Sequence, residues 1–283
     1  MKKVVVILLA GFAAAPCAHA LSQLRERPAD RYEEALQRVA NTDISVPPAV
    51  QLSDKDISAF SGIGIIACTV DSGIQTATAF LVGAFDIGVT VAHAFEDART
   101  GAAATDCFYT SIDSLGQIRE RIPVSYVKSQ WTEDGATHQP GKDVAVFRLS
   151  QPSRYAQKTM PLGRFSGDTA PVIMVGYRAD IGWSTNKRKA SGIAFERSSE
   201  GLNVARFTHD MDSRGIAPGA PVIDERTGVI IGIHTRLPGN DKTDGQANKR
   251  NGIITMSDWL ESTLRNEIQQ KAAKNDAEPG DSG

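Results

Sequence analysis

From about residue 57 to residue 254 the chain is a succession of short apolar runs rich in Val, Ile, Thr and Phe, cut apart by Gly, Asp, Ser and Pro. The runs are GIGIIACTV (62–70), TATAFLVG (76–83), IGVTVAH (87–93), RIPVSYV (121–127), DVAVFRL (143–149), APVIMVGY (170–177), SGIAFER (191–197), NVARFTH (203–209), APVIDERTGVIIGIHT (220–235) and GIITM (252–256). Each has the length and the β-branched or aromatic content of a strand. Roughly ten to twelve runs at such close spacing predict an all-β barrel or sandwich, not alternating β and α units.

The period changes at residue 257. SDWLESTLRNEIQQKA carries Trp259, Leu260, Leu264 and Ile268 at helical spacing, Ser257 as an N-cap, and Asp258 and Glu261 in the first turn. A helix therefore closes the domain, and KNDAEPGDSG after it reads as a disordered polar tail. Upstream, residues 22–40 place Leu24, Tyr32, Leu36 and Val39 among charges, which fits a short amphipathic helix. Pro47 and Pro48 then break any helix. Residues 21–56 are a leader outside the main domain, either a propeptide or a packed N-terminal arm.

The first twenty residues are different again. Two lysines, an apolar run from Val4 to Ala15, Pro16, and small residues at Ala18 and Ala20 make a secretory signal cleaved after Ala20. The run is shorter than the ~20 residues that cross a bilayer. Removing residues 1–20 leaves 29 basic against 33 acidic residues, so the mature chain carries −4. Charges of both signs are scattered along its length, with no basic stripe for nucleic acid and no membrane contact expected after cleavage. Of three cysteines one leaves with the signal. Cys68 and Cys107 remain, and in an oxidising compartment they are expected to pair; two buried free thiols are the alternative.

Three segments carry candidate chemistry. TVAHAF (90–95) delivers His93 at the end of an apolar strand, where an imidazole can border a cleft. GKDVAVFRL (141–149) sets Asp143 at the entrance of a buried strand, where a carboxylate can fix an imidazole tautomer and stabilise imidazolium. GIAPGAPV (215–222) is a Gly-rich loop leading into the strand at Pro221.

Together these segments resemble the trypsin-like serine peptidases, particularly their bacterial secreted members. TVAHAF is similar to that family's TAAH motif, DVAVFRL to its DIALLRL motif, and GIAPGAPV to its GxSGGPV motif. The order His, Asp, serine loop is also that family's. The resemblance runs from about residue 62 to residue 264. It implies two packed antiparallel β-barrels of the chymotrypsin/trypsin type with a C-terminal α-helix, over residues 57–265, followed by the helix end and tail (266–283).

The resemblance also exposes departures. Aligned on it, Pro218 stands at the nucleophilic serine and Ile216 at the oxyanion-hole glycine. Proline has neither a hydroxyl to attack with nor an N–H to offer an oxyanion. Ile216 is β-branched where a permissive backbone is used, and Pro218 pushes Ala217 towards extended angles, so the loop need not have the active shape. Asp212 and His234 are specificity-pocket candidates, Asp212 being equally readable as structural. Ser213 is a poor substitute nucleophile because it leaves PGAPV five residues too late. His209, Asp210, Asp212 and His234 lack a metal-ligand spacing, so no metal and no cofactor are expected. The expectation is an exported, catalytically impaired peptidase homologue whose inter-barrel cleft holds a peptide or protein ligand. The alternative is an active endopeptidase using an unrecognised nucleophile.

Overall fold

The apolar runs fold into twelve strands in the computed structural model. It describes residues 58–97, 100–113, 117–134, 139–165, 169–177, 188–196, 207–209, 216–236 and 251–277. The signal, the leader, Asp210, Asp212 and Ser213 lie outside the described residues.

The first six strands are β1 (Ile63–Val70), β2 (Gly73–Leu81), β3 (Ile87–Thr90), β4 (Thr105–Ile112), β5 (Ile118–Ser129) and β6 (Ala145–Leu149). They close into a barrel in the order β1-β2-β3-β6-β5-β4, with every pairing antiparallel. The next six are β7 (Thr169–Gly176), β8 (Arg188–Glu196), β9 (Phe207–His209), β10 (Pro221–Asp224), β11 (Ile230–Arg236) and β12 (Asn251–Thr255). They close in the order β10-β11-β12-β9-β8-β7. Closure removes the unpaired edges that short Val- and Ile-rich strands would otherwise expose.

Strand β4 has no counterpart among the predicted runs. Its sequence, TDCFYTSI, is mostly polar, and its outer half is exposed or half-buried. What makes it a strand is its place between two partners, β1 and β5, which satisfy its backbone from both sides. A register shift between Ala67 and Thr69 bulges β1 at Cys68. There Cys68 is joined to Cys107 of β4 by a disulfide spanning 39 residues of sequence. The expected pairing is thus present, between neighbouring strands of one barrel.

Two elements weld the barrels together. Tyr177, just past β7, is fully buried among the residues of the first barrel's core. Its hydroxyl lies 3.4 Å from the carbonyl of Ile63 and 3.3 Å from that of Ile112, within donating distance of both. Burial pushes this phenol well above its ordinary value. The second weld is the closing helix, α2 (Asp258–Ala277; α1 is the short Gln130–Asp134). Ser257 caps it, its Oγ accepting from the Leu260 N–H at 3.1 Å.

Helix α2 follows the second barrel in sequence but buries Leu260 and Leu264 with the first barrel's core. Its Glu267, 1% exposed, accepts from the Arg148 guanidinium of β6 at 2.9 Å and pairs with Lys128 of β5 at 3.1 Å. Lys271 bonds Asp86 between β2 and β3 at 2.5 Å. Residues 266–271 therefore belong to the packed body, beyond the boundary at 265 that the sequence suggests. The helix also runs through residues 274–277, which composition alone reads as tail.

Candidate functional site

Strand register brings His93 and Asp143 together. Antiparallel β3 and β6 pair Thr90 with Ala145, so three residues past Thr90 and two before Ala145 lie at the same barrel end. The chain leaves β3 and tightens into a 3-10 turn, Ala92–Ala94, whose flanking alanines are buried. That turn presents His93 to Asp143 twice. The His93 backbone N–H donates to Asp143 Oδ1 at 2.9 Å, and ring Nδ1 lies 2.7 Å from Oδ2. A carboxylate accepts, so Nδ1 carries the proton and the imidazole is held in one tautomer.

A third donor comes from the other barrel. The Thr235 hydroxyl of β11 lies 3.4 Å from Asp143 Oδ2. Asp143 is 4% exposed, whereas the His93 side chain is 27% exposed. The arrangement is a buried, hydrogen-bonded carboxylate behind a partly solvent-facing imidazole. Gln75 of β2 completes the hold, its Nε2 donating to the His93 carbonyl.

The loop before β10 meets the same seam. The Thr78 N–H of β2 donates to the Pro218 carbonyl at 2.9 Å. The Thr78 carbonyl in turn accepts from the Thr90 hydroxyl at 2.6 Å, three residues before His93. On the opposite side the Gly219 N–H donates to the His234 carbonyl at 2.8 Å, and the His234 N–H to the Ala220 carbonyl at 2.8 Å. Thr235, the next residue, is the one that reaches Asp143. Pro218 is half-buried, and His93, Asp143 and the 216–220 loop share one inter-barrel seam.

Gly219 is fixed by space as well as by conformation. Its φ is +90°, and a Cβ there would lie 2.0 Å from the Thr78 carbonyl oxygen and 2.5 Å from Thr90 Oγ1. Ala217 donates its N–H to the Tyr177 carbonyl at 2.7 Å. Ile216, 2% exposed, sits in the second barrel's core with Met174, Val222 and Ile253. Its Cγ2 lies so close to Gly176 that a Cβ there would come within 2.8 Å. Ile216 also lacks a positive φ, since Asp106 is the only non-glycine with one among the described residues. An isoleucine at this position is thus accommodated by turning its side chain into the core.

His234 is fully buried within β11, 0% exposed, and faces no open pocket. Asp212 falls outside the described residues. Among the described residues no group of three or more His, Cys, Asp or Glu side chains is placed to hold a metal ion. Sequence reading missed Gln75, Thr78, Thr235 and Tyr177. For Thr235 the available clue was its place directly after Gly232-Ile233-His234. Gln75 stands out only as an amide at the start of an otherwise small and apolar strand.

With this geometry in view, comparison with solved structures defines the class of fold. A Glu endopeptidase superposes with a TM-score of 0.56 at 11% identity, over 80% of this chain and 99% of its own. The protease Anisep from Arthrobacter nicotinovorans gives 0.58 at 13% identity, over 75% and 97%. The scabies mite inactivated protease paralogue S-I1 gives 0.56 at 14% identity, over 80% and 100%. The chain has the two-barrel fold of the chymotrypsin-type proteases. No protein-family model matches it, and no curated protein sequence does.

Proposed function

We propose that the chain is a secreted trypsin-like serine peptidase homologue that no longer cuts peptide bonds and uses the cleft between its barrels to hold a peptide or protein ligand. In this reading Pro218 occupies the nucleophile's place, and Ile216 that of the glycine whose N–H would face an oxyanion. One observation carries the proposal. Across Ala217, Pro218 and Gly219, two N–H groups are bonded to Tyr177 and His234 carbonyls, and the proline between them has none. Acyl transfer needs a nucleophile and preorganised donors for the developing oxyanion. This tripeptide offers neither.

The His93–Asp143 pair favours the rival reading, an endopeptidase with another hydroxyl as nucleophile, because the pair has the geometry of a general base and its orienter. Export fits the Cys68–Cys107 disulfide, since such bonds persist in oxidising compartments. The division into a signal over 1–20, a leader over 21–56 and a peptidase-like domain from 57 belongs to the same proposal. Incubating the mature chain with casein tests the two readings. The expected result is no cleavage above that of His93→Ala, and cleavage that His93→Ala abolishes favours the endopeptidase.

A further inference from the structure

We propose that His93 is itself an acyl acceptor, a nucleophilic imidazole that reacts with small activated esters such as aryl esters and not with amides. The inference rests on the reading of Pro218 given above, because it assigns the attack to the ring and not to a hydroxyl.

Imidazole is nucleophilic when one ring nitrogen keeps its lone pair. The Nδ1 contact with Asp143 at 2.7 Å assigns the proton to Nδ1 and the lone pair to Nε2. The 27% exposure of the ring admits a small ester. Acylating Nε2 makes the ring cationic, and the buried Asp143 carboxylate, already oriented by the His93 N–H and Thr235, is placed to stabilise that cation. Histidine forms covalent intermediates of this kind.

The chemistry balances without another reactant. The Nε2 lone pair attacks the ester carbonyl carbon, the bond to the aryl oxygen breaks and aryloxide leaves. The acyl-imidazolium keeps its Nδ1 proton on Asp143. Water then attacks the acyl carbon, the C–N bond breaks and neutral imidazole returns. The proton released by water neutralises the aryloxide, so ester and water give carboxylic acid and phenol. The restriction to activated esters follows from the loop. With no spare N–H at Ala217, Pro218 or Gly219, little stabilises a tetrahedral oxyanion, and only a good leaving group lowers the barrier enough.

The test uses p-nitrophenyl acetate with the mature chain, His93→Ala, and mature chain first treated with a serine-directed fluorophosphonate. Positioned acid–base groups are worth ~10²–10⁴ and a lost oxyanion donor costs ~10²–10³, so hydrolysis about tenfold above His93→Ala is expected. Fluorophosphonate treatment leaves that rate unchanged, and acid-quenched samples show an added acetyl on the peptide containing His93. Equal rates for wild type and His93→Ala overturn the inference while leaving the pseudoenzyme reading intact. A rate removed by the fluorophosphonate overturns both. A His93-dependent rate with no acetyl on that peptide makes His93 a base for water and overturns its role as acceptor.

Discussion

The backbone N–H of Ala217 donates to the carbonyl of Tyr177 at 2.7 Å. That single bond ties the loop carrying Pro218 to the tyrosine that welds the two barrels, and it uses a donor from the stretch where an acyl-transfer enzyme would need free ones. Supplying a hydroxyl therefore does not by itself rebuild a catalytic centre.

Pro218→Ser returns a hydroxyl and one N–H, yet Ile216 stays folded into the second barrel's core. Peptidase activity should remain within a few-fold of the His93→Ala background. Adding Ile216→Gly should raise activity clearly above the single variant. It should also destabilise the protein by about 3–5 kcal/mol, because a side chain 2% exposed is removed from a packed core. Peptide hydrolysis and urea denaturation on both variants check the two effects separately.

Gly219→Ala should be among the most damaging small substitutions. The new Cβ meets the Thr78 carbonyl oxygen at 2.0 Å from a backbone at φ +90°. Left-handed strain and overpacking each cost about 1–3 kcal/mol, so a loss of about 3 kcal/mol or more is expected in urea denaturation. A variant within 0.5 kcal/mol of wild type would mean that the loop is held differently.

The barrels, the closing helix and the His–Asp approach were legible in the sequence because each leaves a local trace. Period-two apolar runs mark strands, Ser257 marks a cap, and His93 and Asp143 end or begin apolar strands. Strand β4 and the inner partners of the site were not legible. TDCFYTSI gains its strand character from β1 and β5, and Gln75, Thr78 and Tyr177 gain their roles from a seam closed by residues about 100 positions apart in the chain. Such roles depend on tertiary register, which local pattern does not encode.

Replacing Cys68 and Cys107 by serine should cost about 4 kcal/mol by the loop-entropy relation for a closed loop of 39 residues. The effect should also reach His93. Cys68 is the register partner of Gln75, whose amide holds the His93 carbonyl. Imidazole resonances of His93 in NMR spectra should shift in the double-serine variant and in Gln75→Ala, while those of residues in the second barrel stay in place.

Stability should fall at alkaline pH. Burial raises the Tyr177 phenol well above 10.0, with Tyr109 raised for the same first cause. Below pH 10 both folded and unfolded chains keep these protons. Above it the unfolded chain releases them first, so each tyrosine withdraws about 1.4 kcal/mol per pH unit until its folded value is reached. Urea midpoints at pH 8, 10 and 11 should show the decline. Tyr177→Phe should lower stability by about 1 kcal/mol at pH 8 and make the decline above pH 10 shallower.

The most direct test of the central claim is labelling of the purified mature protein with a serine-directed fluorophosphonate, beside an active trypsin as control. With Pro218 in the loop and no spare N–H at 217–219, the account predicts that trypsin labels fully and this protein does not label, with wild type indistinguishable from His93→Ala. Stoichiometric labelling of a hydroxyl in the wild type, lost in His93→Ala, would contradict it and make the His93–Asp143 pair the base and orienter of a working peptidase.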